Sequence, residues 1–236
     1  MFGLPFHPRS LLVVTAALTL VVVAASRAAD DAVVIPAPAL DAASSSGIQT
    51  AVLAGGCFWG VQGVFQHTAG VVSAISGYAG GSKATADYQM VSTGTTGHAE
   101  SVQIKYDPSK ISYGKILQIF FSVAHDPTQL NRQGPDIGTQ YRSAIFTTSE
   151  QQKEIANAYI AQLNDAHTYR KPIVTKVGAL DAFYPAEAYH QDYLALHPTQ
   201  PYISYNDLPK VANLKKLFAD DYIEQPILVN AAKITH

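Results

Sequence analysis

Thr50-Ala51-Val52-Leu53-Ala54-Gly55-Gly56-Cys57-Phe58-Trp59-Gly60-Val61-Gln62-Gly63-Val64-Phe65 is the stretch on which the reading of the chain turns. Its first five residues form a short apolar run that reads as a strand. Two glycines stop that run, and Phe58, Val61 and Phe65 then recur at helical spacing. The unit is strand, glycine turn, helix. Cys57 stands at the first turn of that helix, where unpaired backbone N–H groups and the positive end of the dipole favour an anion. Composition alone makes a lone cysteine a small buried hydrophobe. Its position instead suits a thiol activated as thiolate.

Outward from this unit, Val71 to Ile75 reads as a second strand closed by the glycine-rich Gly77-Tyr78-Ala79-Gly80-Gly81. Ser101 to Tyr106 alternates with period two and stops at Asp107-Pro108. A helix capped by Ser112 follows, its apolar face running to His125-Asp126-Pro127. The next eighteen residues or so read as loop. Ser143 to Thr147 is a fourth strand, and Ser149 with Gln152 makes a capping box for a helix to about Leu163. Ile173 to Val177 reads as a fifth strand and Ala186 to Leu196 as a further helical patch. Beyond Pro201 the chain reads as irregular, apart from a short helical run near Leu214.

Alternating strands and helices imply a mixed α/β (α+β) domain in two or three layers, a central mixed sheet against packed helices, without fixing strand order. The expected fold is a two-layer sandwich with a ferredoxin-like core.

At the N-terminus, His7 and Arg9 precede an apolar run from Leu11 to Ala25, and Ser26-Arg27-Ala28 supplies small residues for a signal peptidase. Residues 1–28 are therefore expected to be a signal peptide and the mature protein periplasmic or secreted. An uncleaved anchor is the alternative, against which stands a run shorter than the roughly 20 apolar residues of a comfortable span. Residues 29–47, rich in Ala, Pro and Ser, are expected to be a flexible linker, 48–222 the catalytic domain and 223–236 a tail.

The 236 residues carry 16 basic and 18 acidic side chains, a net charge of −2 that advertises no nucleic-acid surface. One cysteine allows neither an internal disulfide nor a multi-thiolate zinc site. The eight histidines show no metal-binding spacing and read as structural or supporting groups, so no metal is expected.

Gly55-Gly56-Cys57-Phe58-Trp59-Gly60 resembles the signature of the peptide methionine sulfoxide reductase A family. Gly77 to Gly81, Gly97-His98-Ala99-Glu100, His125 to Gln129 and Gly138 to Ser143 agree in the family's order, as do Phe183 to Glu187 and Tyr189-His190-Gln191. The resemblance spans about Ala51 to Phe218. It implies a thiol-dependent oxidoreductase that returns methionine-S-sulfoxide, in proteins, peptides and free, to methionine. Cys57 is the implied nucleophile and Glu100 the acid, kept protonated by an apolar pocket. Tyr88 and Tyr141 would hydrogen-bond the sulfoxide oxygen. Asp136 would order a water or a hydrogen-bond network, with loop capping as its plainer role. Phe58 and Trp59 would enclose the substrate's methyl group.

Many relatives carry resolving cysteines near the C-terminus, where this chain has Ile203 after Pro201-Tyr202. The sulfenic acid on Cys57 must then be reduced by an external thiol, thioredoxin or a small thiol, and no bound cofactor is expected. That requirement suggests an open site mouth. Gln62 and Ser92 stand where relatives often have Glu and Cys, and a neutral residue at 62 would ease thiolate formation. The expected partners are oxidised peptides and proteins and a dithiol reductant, with the protein a monomer outside the membrane after cleavage. Two other readings use the same residues: a cysteine hydrolase pairing Cys57 with a histidine, and a binder of oxidised methionine without turnover.

Overall fold

The structure is a computed structural model and describes residues 32, 34–42 and 46–229. Its axis is β1 (Gln49–Gly55), buried from Ala51 onward on both faces, as a central strand must be. After β1 come α1 (Phe58–Gln66), β2 (Val71–Ala79), the single-turn α2 (Tyr88–Val91), β3 (Ala99–Tyr106) and α3 (Tyr113–Ile119). A two-residue hairpin of β4 (Arg132–Gln133) and β5 (Asp136–Ile137) precedes β6 (Ser143–Thr147), α4 (Glu150–Asp165), β7 (Lys176–Ala179) and β8 (Phe183–Pro185). The short α5 (Tyr193–Leu196) and α6 (Leu208–Leu217) complete the order.

The main sheet runs β7-β6-β1-β3-β2-β8. Its four inner strands with α1 and α3 make a β-α-β-β-α-β unit in which the fourth strand lies beside the first, the ferredoxin-like arrangement expected. β1 pairs antiparallel with both β3 and β6, Val52 lying opposite Gln103 and Phe146. Among the described strands only β6 and β7 pair in parallel, joined through α4, which makes the sheet mixed. Phe65, Ile104, Ile116, Leu117, Ile119 and Phe120 fill the layer between sheet and helices.

Local chemistry explains the helix starts. The Ser112 hydroxyl accepts from the Lys115 N–H, and the Ser149 hydroxyl from the Gln152 N–H. Gln152 Oε1 reaches back to the N–H of Thr148, one residue before the cap.

Three segments depart from expectation. The fifth strand begins later, at Lys176, because Ile173 and Val174 donate their N–H groups to Asn164 Oδ1 and Pro127 O instead of to a neighbouring strand. The helix expected over 186–196 is broken at Asp192, in the left-handed region at φ 58°. There the Asp192 N–H bonds Gln62, while its carboxylate accepts from Gln66 Nε2 and the Val229 N–H. The stretch past Pro201 is helical through Leu217, with Pro209 in the first turn of α6, where its missing N–H costs nothing.

The described part of the expected linker is a strap laid on the domain. Ile35 is buried, its carbonyl accepts from Gln118 Nε2, and that of Pro36 from the Tyr159 hydroxyl. Asp41 accepts from the Gly114 N–H at 2.7 Å, at the start of α3. Side chains of α3 and α4 thus satisfy a backbone that composition suggested was free. The tail is likewise tied down through Val229, with the Ile223 and Ile227 N–H groups on the His67 and Gln66 carbonyls. The expected signal peptide and residues 230–236 lie outside the described residues. Among the described residues no helix is long and apolar enough to cross a membrane.

Candidate active site

Cys57 is the cap residue of α1 and only 7% exposed. The preceding Gly56 sits at φ +90°, and a Cβ there would lie 2.5 Å from Gln133 Cβ, so glycine both makes the turn and admits Gln133 against it. Burial pushes the Cys57 thiol well above its ordinary value, and Asp207 and, once ionised, Glu100 push the same way. The Trp59 N–H and the Lys210 ammonium oppose them and are outweighed. Burial thus works against the helix start, which by itself favours the thiolate. The turn around Gln133–Asp136 and the segment from Tyr202 to Lys210 line a cavity that borders the residue.

Glu100, on β3, is 3% exposed, and its Oε2 accepts the Phe58 N–H at 3.1 Å. Burial raises it to about 8, so the carboxyl is protonated at neutral pH. The acid therefore rests on the backbone of the residue next to the thiol. Tyr88 opens α2, held by its N–H on Glu187 Oε1 at 2.9 Å, with its ring 4.3 Å from that of His190. Tyr141 is half-buried, and its phenol is pushed up by burial and then by the charges of Glu100, Asp136 and Cys57. Asp136 stands on β5 and accepts from the Tyr202 hydroxyl, so it joins the hairpin to the C-terminal segment. Burial raises its carboxyl.

The two aromatics divide. Phe58 is 1% exposed and packs against Tyr78 and His190, so it backs the wall. Trp59 is half-buried, stacked on Tyr193 at 3.9 Å with Tyr202 edge-on. Its Nε1–H donates to His190 Nδ1 at 3.2 Å. That bond engages His190 with the indole, and the buried His125 is engaged with Phe120 O and Ser143. The base that a cysteine hydrolase needs is not supplied by either.

Sequence reasoning missed Gln133, Tyr202, Asp207 and Lys210. Asp207 is fully buried and bonded to the buried Lys210 at 3.2 Å, one helical turn apart. Their signal was the spacing of Val211 and Leu214 after Lys210, an inward face that leaves its first turn beside α1. Gly60 permits that approach: a Cβ there would lie 2.1 Å from Asp207 Oδ1 and 2.9 Å from Lys210 Nζ. Gly60→Ala is expected to destabilise the fold by about 1–3 kcal/mol through overpacking, read as a lower denaturation midpoint, and to lower activity with it. An unchanged midpoint would contradict this packing.

Gln62 does not address Cys57. Its amide donates to Ala74 O and Gln191 Oε1 and accepts from the Asp192 N–H, tying α1 to β2 and the segment before α5. Ser92 donates to Tyr88 O, and Ile203 is wholly buried. Among the described residues no group of three or more His, Cys, Asp or Glu could hold a metal.

A family model described as peptide methionine sulfoxide reductase matches residues 49–222. The chain belongs to that family. Peptide methionine sulfoxide reductase MsrA 2 of Mesorhizobium japonicum is 62% identical over 193 residues, 82% of this chain and 99% of that one. Its namesake in Synechocystis sp. is 50% identical over 191 residues, 79% and 89% of the two chains. Among solved structures, Mxr1 from Saccharomyces cerevisiae in reduced form is similar at a TM-score of 0.58 and 33% identity, covering 65% of this chain and 87% of that one. Methionine sulfoxide reductase A of Corynebacterium diphtheriae gives 0.56 and 37%, covering 66% and 78%. As a member of the peptide methionine sulfoxide reductase family, the chain is an oxidoreductase that reduces methionine sulfoxide.

Proposed function

We propose that Cys57 takes the oxygen of methionine-S-sulfoxide, in peptides, proteins or free, and that an external dithiol returns it to the thiol. The observation that carries this reading is the neutral, buried Glu100 carboxyl hydrogen-bonded to the N–H beside Cys57. Sulfoxide oxygen is a poor leaving group, and a carboxyl that keeps its proton at pH 7 can supply it as the sulfur attacks.

Glu100 protonates the sulfoxide oxygen while Cys57 attacks the substrate sulfur, and the thiol's proton restores the carboxyl. The hydroxyl ends on Cys57 as sulfenic acid, and the electron pair stays on the substrate sulfur as thioether. Tyr88 and Tyr141 direct phenols toward that oxygen, whose developing charge they stabilise. Asp136 holds Tyr202 edge-on to Trp59, against which the substrate's methyl group rests. A first external thiol then displaces water from the sulfenic acid to give a mixed disulfide, and a second releases Cys57. A thioredoxin-type dithiol or a small thiol pair meets that need. Preference for the S epimer rests on the resemblance to a family in which one enzyme type serves each epimer.

Without reductant, the protein mixed with a sulfoxide peptide is expected to release one methionine per chain and leave a dimedone adduct on Cys57. Adding a dithiol should convert this burst to steady turnover. Absence of the burst, with Cys57 still reduced, would sink the reading. Residues 1–28 are proposed as the export signal on the strength of the basic start, the Leu11–Ala25 run and Ser26-Arg27-Ala28. Recovery of the protein at full mass from the cytoplasm alone would contradict export.

A further inference from the structure

Gln133 is 4% exposed, its Cβ and Cγ packed against the Gly56 backbone beside the thiol. Its Oε1 accepts the Asp126 N–H at 3.0 Å, which fixes the amide's orientation. Turned that way, Nε2 is a buried donor without a hydrogen-bond partner among the described residues. Such a group is costly unless something meets it. Gln133 lines a cavity of about 30 Å³, bounded also by Cys57, Asp136, Tyr202 and Lys210. That volume suits a single water-sized occupant. The Lys210 ammonium on its wall is anchored by Asp207 at 3.2 Å.

We propose that this cavity is a sulfenyl-oxygen cradle: Gln133 Nε2–H donates to the oxygen that Cys57 acquires, and the Lys210 ammonium stabilises it as sulfenate until the external thiol arrives. The assignment rests on the sulfenic acid reading above and adds the residues that keep the intermediate alive. Its logic follows from the lone cysteine. With no second cysteine to form a disulfide, the oxidised sulfur must wait for a diffusing partner, and a waiting sulfenic acid is open to further oxidation to sulfinic acid. A fixed donor and a cation lower the energy of the oxyanion and occupy the lone pairs of its oxygen. The groups whose charge acts around the sulfur are Glu100 on β3, Asp207 and Lys210 at the start of α6, and the phenols of Tyr88, Tyr141 and Tyr202. Lys210 is the cation among those acting on Cys57.

The test measures the lifetime of the Cys57 sulfenic acid by timed dimedone trapping and mass spectrometry, with Cys57 oxidised in two ways. In one arm a sulfoxide peptide is the oxidant. In the other, one equivalent of hydrogen peroxide converts the thiol to sulfenic acid and water. Gln133→Met and Lys210→Met are each expected to shorten the lifetime about tenfold in both arms, and to raise the sulfinic acid fraction in excess peroxide. Gln133→Glu keeps an acceptor for the Asp126 N–H while removing the donor, and should behave like Gln133→Met if the donor is what matters. Lifetimes equal to the parent's in all three variants, at unchanged thermal midpoints, would overturn the cradle. If the parent releases no methionine yet the peroxide arm shows the shortened lifetimes, the reductase mechanism fails and the cradle stands.

Discussion

Cys57→Ser is expected to remove methionine sulfoxide reduction by about 10⁴-fold or more, the order seen when the nucleophile of a covalent mechanism is deleted. A hydroxyl has neither the polarizability nor the acidity to attack sulfur, and no second thiol in the chain can substitute. The fold should survive: the side chain is small, caps α1 without a side-chain hydrogen bond, and its replacement is worth about 1 kcal/mol. Methionine release by chromatography and a thermal melt check the two halves. A serine variant that still turns over would remove Cys57 from the chemistry, and one that only binds the sulfoxide peptide is the expected remnant.

Glu100→Gln should lower kcat/KM by about 10²- to 10⁴-fold, the usual worth of a placed acid. Its pH behaviour is the sharper readout. With the Glu100 carboxyl at about 8, the parent should lose activity as pH rises past that value, because the proton needed by the sulfoxide oxygen leaves and a carboxylate forms beside Cys57. The glutamine variant should lack that alkaline limb. Stability carries the same signature. Between the ordinary value of 4.5 and about 8, the folded chain holds a proton that the unfolded chain has released, so stability falls as pH rises through that window. Glu100→Gln should flatten the slope of thermal midpoint against pH. Parallel slopes in parent and variant would mean that the carboxyl titrates normally.

The parts of the fold that were legible in the sequence are those whose backbone satisfies itself. β1, α1 and β6 carry their own periodicity, and α3 and α4 announce their caps at Ser112 and Ser149. Illegible were segments held by side chains from elsewhere in the chain. The strap at 34–42 looks like linker because its partners, Gln118 and Tyr159, lie on α3 and α4. Asp192 breaks an amphipathic run because Gln62, Gln66 and Val229 hold it in place. The site divides the same way. Cys57 and Glu100 stand in recognisable motifs, whereas Gln133, Asp207 and Lys210 become neighbours of the sulfur only through the packing of α6 and the hairpin. The helix start that favours an anion at Cys57 is visible in the sequence, whereas the burial that raises its thiol comes from residues far along the chain.

The strand order also sets a timetable for the nascent chain. Val52 can find Gln103 before it can find Phe146, so β1 stays half-paired until β6 has been made. Such non-local pairing is slow to form. Tyr202, Asp207 and Lys210 are made later still, on a segment that packs against α1. A chain cleaved before Tyr202 would lose one wall of the cavity at its cysteine together with the part of the core that Ile203, Val211 and Leu214 supply.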